Sequence, residues 1–452
     1  MTAEVQAAKA TGHPVAFWFI FWGEFAERCS YYGMRAILPL YLSGVLHFPD
    51  NSPVYYWFKM AVYFLPLLGG FLADRYIGKY WAIVGFSVPY VLGHFILGIE
   101  NTTALIIALS LLALGSGVTK PNISTLMGMT YDQQRPGQEQ LLSSAFRWFY
   151  FSINVGAFLS QSTLPWVRDH YKEQLGLAKA YQIAFQAPAW LMIGALIIFA
   201  LGKRHYAVET PGPAAKTPEQ RREQWQALRT LFGFFACVVF FWLAYEHNDG
   251  LWVIFARDYV NLHVSWLNKT FAPDQIQAIN ALCVLIFIPL LTWIFNLVDR
   301  DQKIFTAANR ILLGFLVTAV STGIMSAAGF LSQGRPASVP LILLVLAYVS
   351  MTLGEVLVYA TGLELSYTAA PKSMKGFVTA CFLVTMTLGN LINTVYVPLY
   401  GGSLTDAAEE RGPLLPGPFF GITTMIVLAA AVGFFFVGRR LGRTTESASV
   451  AA

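Results

Sequence analysis

Apolar and polar residues follow one another along this chain in long blocks rather than in the short periods of a water-soluble fold. Reading windows of about 20 consecutive apolar residues, the length that crosses a bilayer as a helix, gives twelve candidate spans. They lie near 15–46, 54–73, 80–99, 103–127, 141–165, 182–201, 228–256, 275–298, 304–332, 339–368, 374–400 and 417–438. The longest polar stretch between them, 202–225, is rich in Pro, Lys, Arg and Glu and divides the spans six and six. The expected fold class is therefore all-α, a polytopic membrane protein of two six-helix bundles, over 1–201 and 226–440. A cytoplasmic linker, 202–225, and a tail, 441–452, complete the chain.

Composition closes off the soluble classes: 56% hydrophobic and 12% charged residues over 452 positions belong to a membrane chain. The first span is too long and too charged inside to be a cleaved signal peptide. With the N-terminus inside, the loops carry about 18 Lys and Arg on the inner side against about 7 on the outer. Both termini are accordingly expected in the cytoplasm, and the net charge of +5 reads as inner-face bias, with no nucleic-acid partner. The compact loops fit a bacterial inner membrane. Cys29, Cys237, Cys283 and Cys381 are scattered singly, without a CxxC pair, and read as small buried residues.

One span breaks the apolar pattern. In Gly23-Glu24-Phe25-Ala26-Glu27-Arg28-Cys29-Ser30-Tyr31-Tyr32-Gly33-Met34-Arg35, four ionisable groups stand where hydrocarbon is expected. A charge at the centre of a membrane helix costs roughly 2.5–3.5 kcal/mol even on insertion scales, so the cluster marks an ion or substrate pathway. At about 100° per residue, Glu24, Arg28, Tyr31 and Arg35 fall within roughly 60° of one another, with Glu27 about 60° to the side. Pro39, Pro66, Pro121 and Pro289 interrupt other spans and can kink helices that line a cavity. Lys59 and Arg147 sit toward span ends and are expected to snorkel. Glu364 and Lys375 lie near inner ends, and His247, Asp249, Arg257 and Asp258 are placed in the outer half of the seventh span and its loop.

Several motifs carry a family resemblance. Gly69-Gly70-Phe71-Leu72-Ala73-Asp74-Arg75-Tyr76-Ile77-Gly78-Lys79 resembles the loop signature of the major facilitator superfamily. Glu24-x-x-Glu27-Arg28-x-x-Tyr31-Tyr32 resembles the ExxER(F/S)xYY motif of the proton-dependent oligopeptide transporter family. Phe149-Tyr150-Phe151-Ser152-Ile153-Asn154-Val155-Gly156 and Gly115-Ser116-Gly117-Val118-Thr119-Lys120-Pro121-Asn122 resemble two more of its motifs. In the second half, so do Phe241-Trp242-Leu243-Ala244-Tyr245-Glu246 and the run Gly354-Glu355, Gly362-Leu363-Glu364 and Pro371. The chain departs from the pattern at Tyr359-Ala360, where the family has Ser-Pro, and at Phe382, where it has tryptophan. Tyr56 stands where animal relatives carry histidine, which leaves proton coupling to carboxylates.

The resemblance implies proton-coupled symport of di- and tripeptides by alternating access, with no enzymatic step and no cofactor, the proton serving as coupling ion. A peptide is a zwitterion and needs opposite charges on opposite walls. By resemblance, its carboxylate meets Arg35 and Lys120, and its ammonium meets Glu355 with Asn154 and Asn280. Tyr31, Tyr32, Tyr63, Tyr150, Trp242 and Phe382 are expected to line the cavity with tolerant amphipathic surface. Glu24, Glu27, Arg28 and Glu246 are the proton-coupling candidates, and Arg35 with Glu246 is the candidate outer gate. When Glu24, Glu27, Glu246 and Glu355 face Arg28, Arg35 and Lys120, one negative charge is unmatched, which gives one carboxylate a reason to hold a proton. The expected assembly is a monomer in a lipid bilayer. The alternative is another proton-coupled facilitator, a nitrate-type carrier or a drug exporter; Glu355 opposite the basic residues favours a substrate with an ammonium. An intramembrane enzyme or redox protein would need a nucleophile–base set, haem ligands or a metal cluster, and the sequence shows no such set.

Overall fold

The apolar runs fold as helices because in hydrocarbon each backbone N–H and C=O has to find its partner within the segment. The computed structural model describes residues 12–209, 218–299, 304–368 and 375–450. The first half comprises α1 (Val15–Gly44), α2 (Val54–Leu72), α3 (Lys79–Leu97), α4 (Thr102–Gln134), α5 (Glu139–Leu175) and α6 (Leu177–Leu201). The second begins with α7 (Pro218–Tyr245) and α8 (Leu251–Tyr259), two pieces of one broken crossing, followed by α9 (Ala278–Val298) and α10 (Ala307–Ser332). The next crossing is split into α11 (Leu341–Glu355) and α12 (Thr361–Thr368) around a π-turn at Val356–Ala360. The last two are α13 (Lys375–Tyr396) and α14 (Pro416–Val450).

Among the described residues, nine helices are long and apolar enough to cross a membrane. The crossings that miss that criterion are α1, α5 and the broken α7–α8 pair, and with them the fold has the twelve spans of two six-helix bundles. These three carry many of the charged and polar side chains inside the bundle, among them Glu24, Glu27, Arg28 and Arg35 on α1, Asn154 on α5, and Glu246 and Asp249 at the break of the α7–α8 crossing. Their shortfall in apolarity thus reflects a wet interior face, not a place outside the bilayer.

Several helices run past their expected ends. The fifth, expected over 141–165, extends over Glu139–Leu175, and the fourth continues from 127 to Gln134. Hydropathy falls where a helix leaves the hydrocarbon, but its backbone hydrogen bonding goes on. The seventh span is corrected in the opposite sense: residues 246–250 are turns that interrupt the crossing. Pro39, Pro66, Pro121 and Pro289 each lie within an unbroken helix. Helix α7 begins at Pro218, inside the stretch read as linker; Lys216, Arg300, Lys303, Pro371, Lys372 and the first residues of the chain lie outside the described residues.

The halves meet along α2 against α13, α5 against α9, and α1 against α8. The starts of α1 and α7 and the end of α14 share one end, which we call proximal; the opposite, distal end carries the turn 45–53 and the loops 260–277 and 400–415. Small strands decorate it: β1 (Val260–Asn261) runs parallel to β4 (Val339–Pro340), and β2 (His263–Val264) pairs antiparallel with β3 (Lys269–Thr270).

Candidate functional site

Toward the proximal half of α1, Arg28 Nε lies 2.6 Å from Glu24 Oε1 and 2.9 Å from Glu27 Oε2. All three side chains are buried, and the Tyr90 hydroxyl of α3 donates to Glu27 Oε1 at 3.1 Å. Two carboxylates thus share one guanidinium out of water. The fourth helix delivers Lys120 to the same region because Gly117 lets it close on α2: a Cβ there would meet Leu65 Cβ at 2.5 Å. The Lys120 ammonium stands 4.3 Å from the Tyr31 ring centroid and 5.5 Å from that of Tyr63, a placement that favours a cation.

Nearer the distal end, four charges from both halves form one network. Lys59 Nζ donates to Asp249 at 2.6 and 2.8 Å and pairs with Glu246; Arg35 Nη2 lies 3.0 Å from Asp249 Oδ2. Lys59 and Glu246 are 0% exposed and Asp249 1%. The break between α7 and α8 creates the network, since it turns both carboxylates toward α1 and α2. Gly250 lets α2 close on the break, where a Cβ would meet the Tyr56 hydroxyl at 2.5 Å, and the Tyr348 hydroxyl donates to the freed Asn248 carbonyl at 2.5 Å.

This corrects two expectations. Lys59 does not snorkel: it is fully buried with two carboxylates, whereas Arg147 is exposed and bonds Ser143 on its own helix. The carboxylate that Arg35 meets is Asp249, and Glu246 is engaged by Lys59, so the expected Arg35 and Glu246 belong to one network without pairing directly. Asp249 is also more than a loop residue. A signal for both was present: Tyr55, Tyr56, Lys59 and Tyr63 form a polar stripe at helical spacing on α2, and Glu246 and Asp249 are three apart.

In the second half, Asn280 of α9 donates to Glu355 Oε2 at 2.8 Å and to Thr352 at 3.0 Å. Among the described residues, neither Glu355 nor Lys120 takes part in an ion pair. The Arg35 guanidinium stands 4.9 Å from the Tyr32 ring centroid. Asn154 is turned back on its own helix, donating to the Tyr150 carbonyl at 2.9 Å. Trp242 and Phe382 are packed away at 1% and 0% exposure, behind Tyr359.

A second set of bonds joins the halves at the distal surface. Arg257 grips Asp50 at 3.2 and 2.5 Å, Ser403 donates to the same carboxylate at 2.5 Å, and the Asp50 amide donates to Asp406 at 2.9 Å. Asn51 donates to the carbonyls of Pro398, Tyr400 and Glu410. Burial pushes the Asp50 carboxyl up, but Arg257 and the Ser403 and Ser43 hydroxyls outweigh it and hold the group below its usual range. A depressed carboxyl stabilises the clamp above the ordinary value of about 3.9 and loses that effect as pH falls through the lowered one. Asp50→Asn is expected to reduce stability at neutral pH by about 1–3 kcal/mol, and thermal unfolding across a pH series should show the gap closing in acid. A gap independent of pH would place the clamp's strength elsewhere.

A family model described as "POT family" matches residues 80–221 and 212–409. Human solute carrier family 15 member 2 is 29% identical over 365 residues, 70% of this chain and 49% of that protein. Peptide transporter family 1 of Caenorhabditis elegans is 30% identical over 376 residues, 69% of this chain and 43% of that one. The chain thus spans about half the length of the curated relatives it matches. Among solved structures, the POT family transporter PepTSo superposes with a TM-score of 0.78 at 26% identity, covering 95% of this chain and 99% of that one. A peptide transporter POT in complex with sulfate gives a TM-score of 0.81 at 23% identity over 96% of each chain, a likeness of fold.

Proposed function

This chain belongs to the POT family, and on that premise we propose that it carries di- and tripeptides across the membrane together with protons, by alternating access. The observation that carries this reading is the pair of ionic side chains without an ion-pair partner among the described residues, one in each half: Lys120 and Glu355. A zwitterionic peptide supplies what each lacks, its carboxylate to Lys120 with Arg35 nearby and its ammonium to Glu355 beside Asn280. Binding then bridges the halves and differs between open and closed states, which a ligand-driven shift requires.

The charges divide into three groups. The distal network holds two cations, Arg35 and Lys59, against two anions, Glu246 and Asp249. Lys120 and Glu355 balance each other through the substrate. The excess negative charge therefore falls on Glu24 and Glu27, which share Arg28. We assign the coupling proton to that cluster, where protonating one carboxylate removes the repulsion between the two. Glu246 contributes by holding the distal gate.

The positive-inside bias supports a cytoplasmic proximal end with both termini there; the membrane is further read as a bacterial inner membrane and the working unit as a monomer whose two bundles, 1–201 and 226–440, rock about the site. In that orientation the distal bonds close the outside. Opening outward requires the Lys59–Glu246–Asp249–Arg35 network and the Asp50 clamp to part.

Uptake of labelled dialanine into proteoliposomes tests the reading. Accumulation driven by an inward proton gradient and blocked by unlabelled peptide but not by nitrate is the expected result. Indifference to peptide would return the chain to the wider facilitator class, and block by nitrate would favour the anion-carrier alternative.

A further inference from the structure

A ring cluster lies one helical turn from the carboxylate assigned to the substrate ammonium. Tyr359 follows Glu355 by four residues, inside the π-turn Val356–Ala360, which sets both side chains on one face of the crossing. Its ring meets Trp242 edge-on, at 5.8 Å between centroids and 79°, and tilts against Phe382 at 6.1 Å. Phe382 in turn stacks on Phe234 at 5.8 Å and 12°. Trp242 and Phe382 are closed off from solvent, whereas Tyr359 and Glu355 are both partly exposed, so Tyr359 forms the free edge of the cluster.

We infer that Tyr359 sets the size limit on the side chain of the peptide's first residue. The inference rests on the peptide reading proposed above. In a peptide the carbon that bears the first side chain is about 1.5 Å from the ammonium nitrogen. A side chain on a peptide held by Glu355 therefore leaves the backbone beside the neighbours of Glu355 on its own helix. Tyr359 fills that space with a ring braced by Trp242 and Phe382. A hydrogen or methyl group fits beside it; a benzyl group requires the ring to move out of its contacts. Removing the ring leaves Trp242 and Phe382 as the walls of an apolar recess of about the size of the lost phenol, which a benzyl group can enter.

The test is competition against labelled dialanine uptake by Phe-Ala and by Ala-Phe, in the unaltered protein and in Tyr359→Ala, Tyr359→Ser and Tyr359→Phe. The unaltered protein is expected to favour Ala-Phe over Phe-Ala by about tenfold or more. Tyr359→Ala and Tyr359→Ser should remove most of that preference by improving Phe-Ala, with dialanine uptake changed little, and Tyr359→Phe should keep it. Equal inhibition by both peptides in the unaltered protein overturns the inference without needing a variant. An unchanged preference in a Tyr359→Ala or Tyr359→Ser protein that still takes up dialanine also overturns it and leaves peptide transport standing. An unaltered protein that ignores all three peptides removes the peptide reading itself.

Discussion

Glu355→Gln is expected to weaken dialanine binding by roughly 30-fold to several thousandfold while leaving the fold intact. Glu355 has no cation among the described residues to lose, and its hydrogen-bond donors, Asn280 and Tyr245, can still be met by the carbonyl oxygen of a glutamine. The substitution therefore removes little from the unloaded protein. In the loaded state it takes away the counter-charge of a desolvated ammonium, a loss that measures about 2–5 kcal/mol at buried charge pairs, with each 1.4 kcal/mol a factor of ten. N-acetylated dialanine supplies the other half of the cycle. It should bind the unaltered protein weakly, and Glu355→Gln should change its affinity by less than about threefold, because the interaction is already absent. Wild-type affinity for dialanine in Glu355→Gln, or equal losses for both ligands, would remove the ammonium assignment.

Lys59→Gln is expected to do the reverse: to leave the substrate groups in place and to open the distal end. Glu246 and Asp249 would then face each other with Arg35 alone, inside a region from which water is excluded. Breaking a buried pair from one side costs about 3–5 kcal/mol. Lys59 belongs to the first half and both carboxylates to the second, so the cost falls on the conformation that brings the halves together distally. Its population relative to the open form should drop about a hundredfold or more. Spin labels placed on 45–53 and 400–415 should report longer distances in this variant. Adding Glu246→Gln should shorten them again, because the remaining Arg35–Asp249 pair is neutral. Unchanged distances in Lys59→Gln would show that the Asp50 clamp alone holds the distal end shut.

The motif on α1 was legible because it is local. Glu24, Glu27 and Arg28 are three and four residues apart on one helix, so periodicity alone brings them within reach, and the structure adds Tyr90 from α3. Lys59 was misread because a lysine in a mostly apolar span has two stable solutions, a head reaching for the interface or a head paired inside. Only the neighbouring helix selects between them. The inward role of Asp249, which the sequence places only in the outer half of the seventh span and its loop, is hidden for a related reason: the break at 246–250 turns its side chain inward, and the apolar run around it does not mark where hydrogen bonding along the helix gives out.

The sequence by itself determined the class of fold and the local chemistry: the long apolar blocks, the six-and-six division and the charged stripe of the first span follow from hydropathy and helical period. Tertiary structure decided which charges meet. It assigned Asp249 to Arg35 and Lys59 to Glu246, left Lys120 and Glu355 without ionic partners among the described residues, and put Tyr359 at the free edge of the Trp242 and Phe382 cluster. The physical reason is range. Helix formation and burial are set by neighbours a few residues away, whereas an ion pair in a low-dielectric interior depends on a side chain more than a hundred residues distant arriving within about 3 Å.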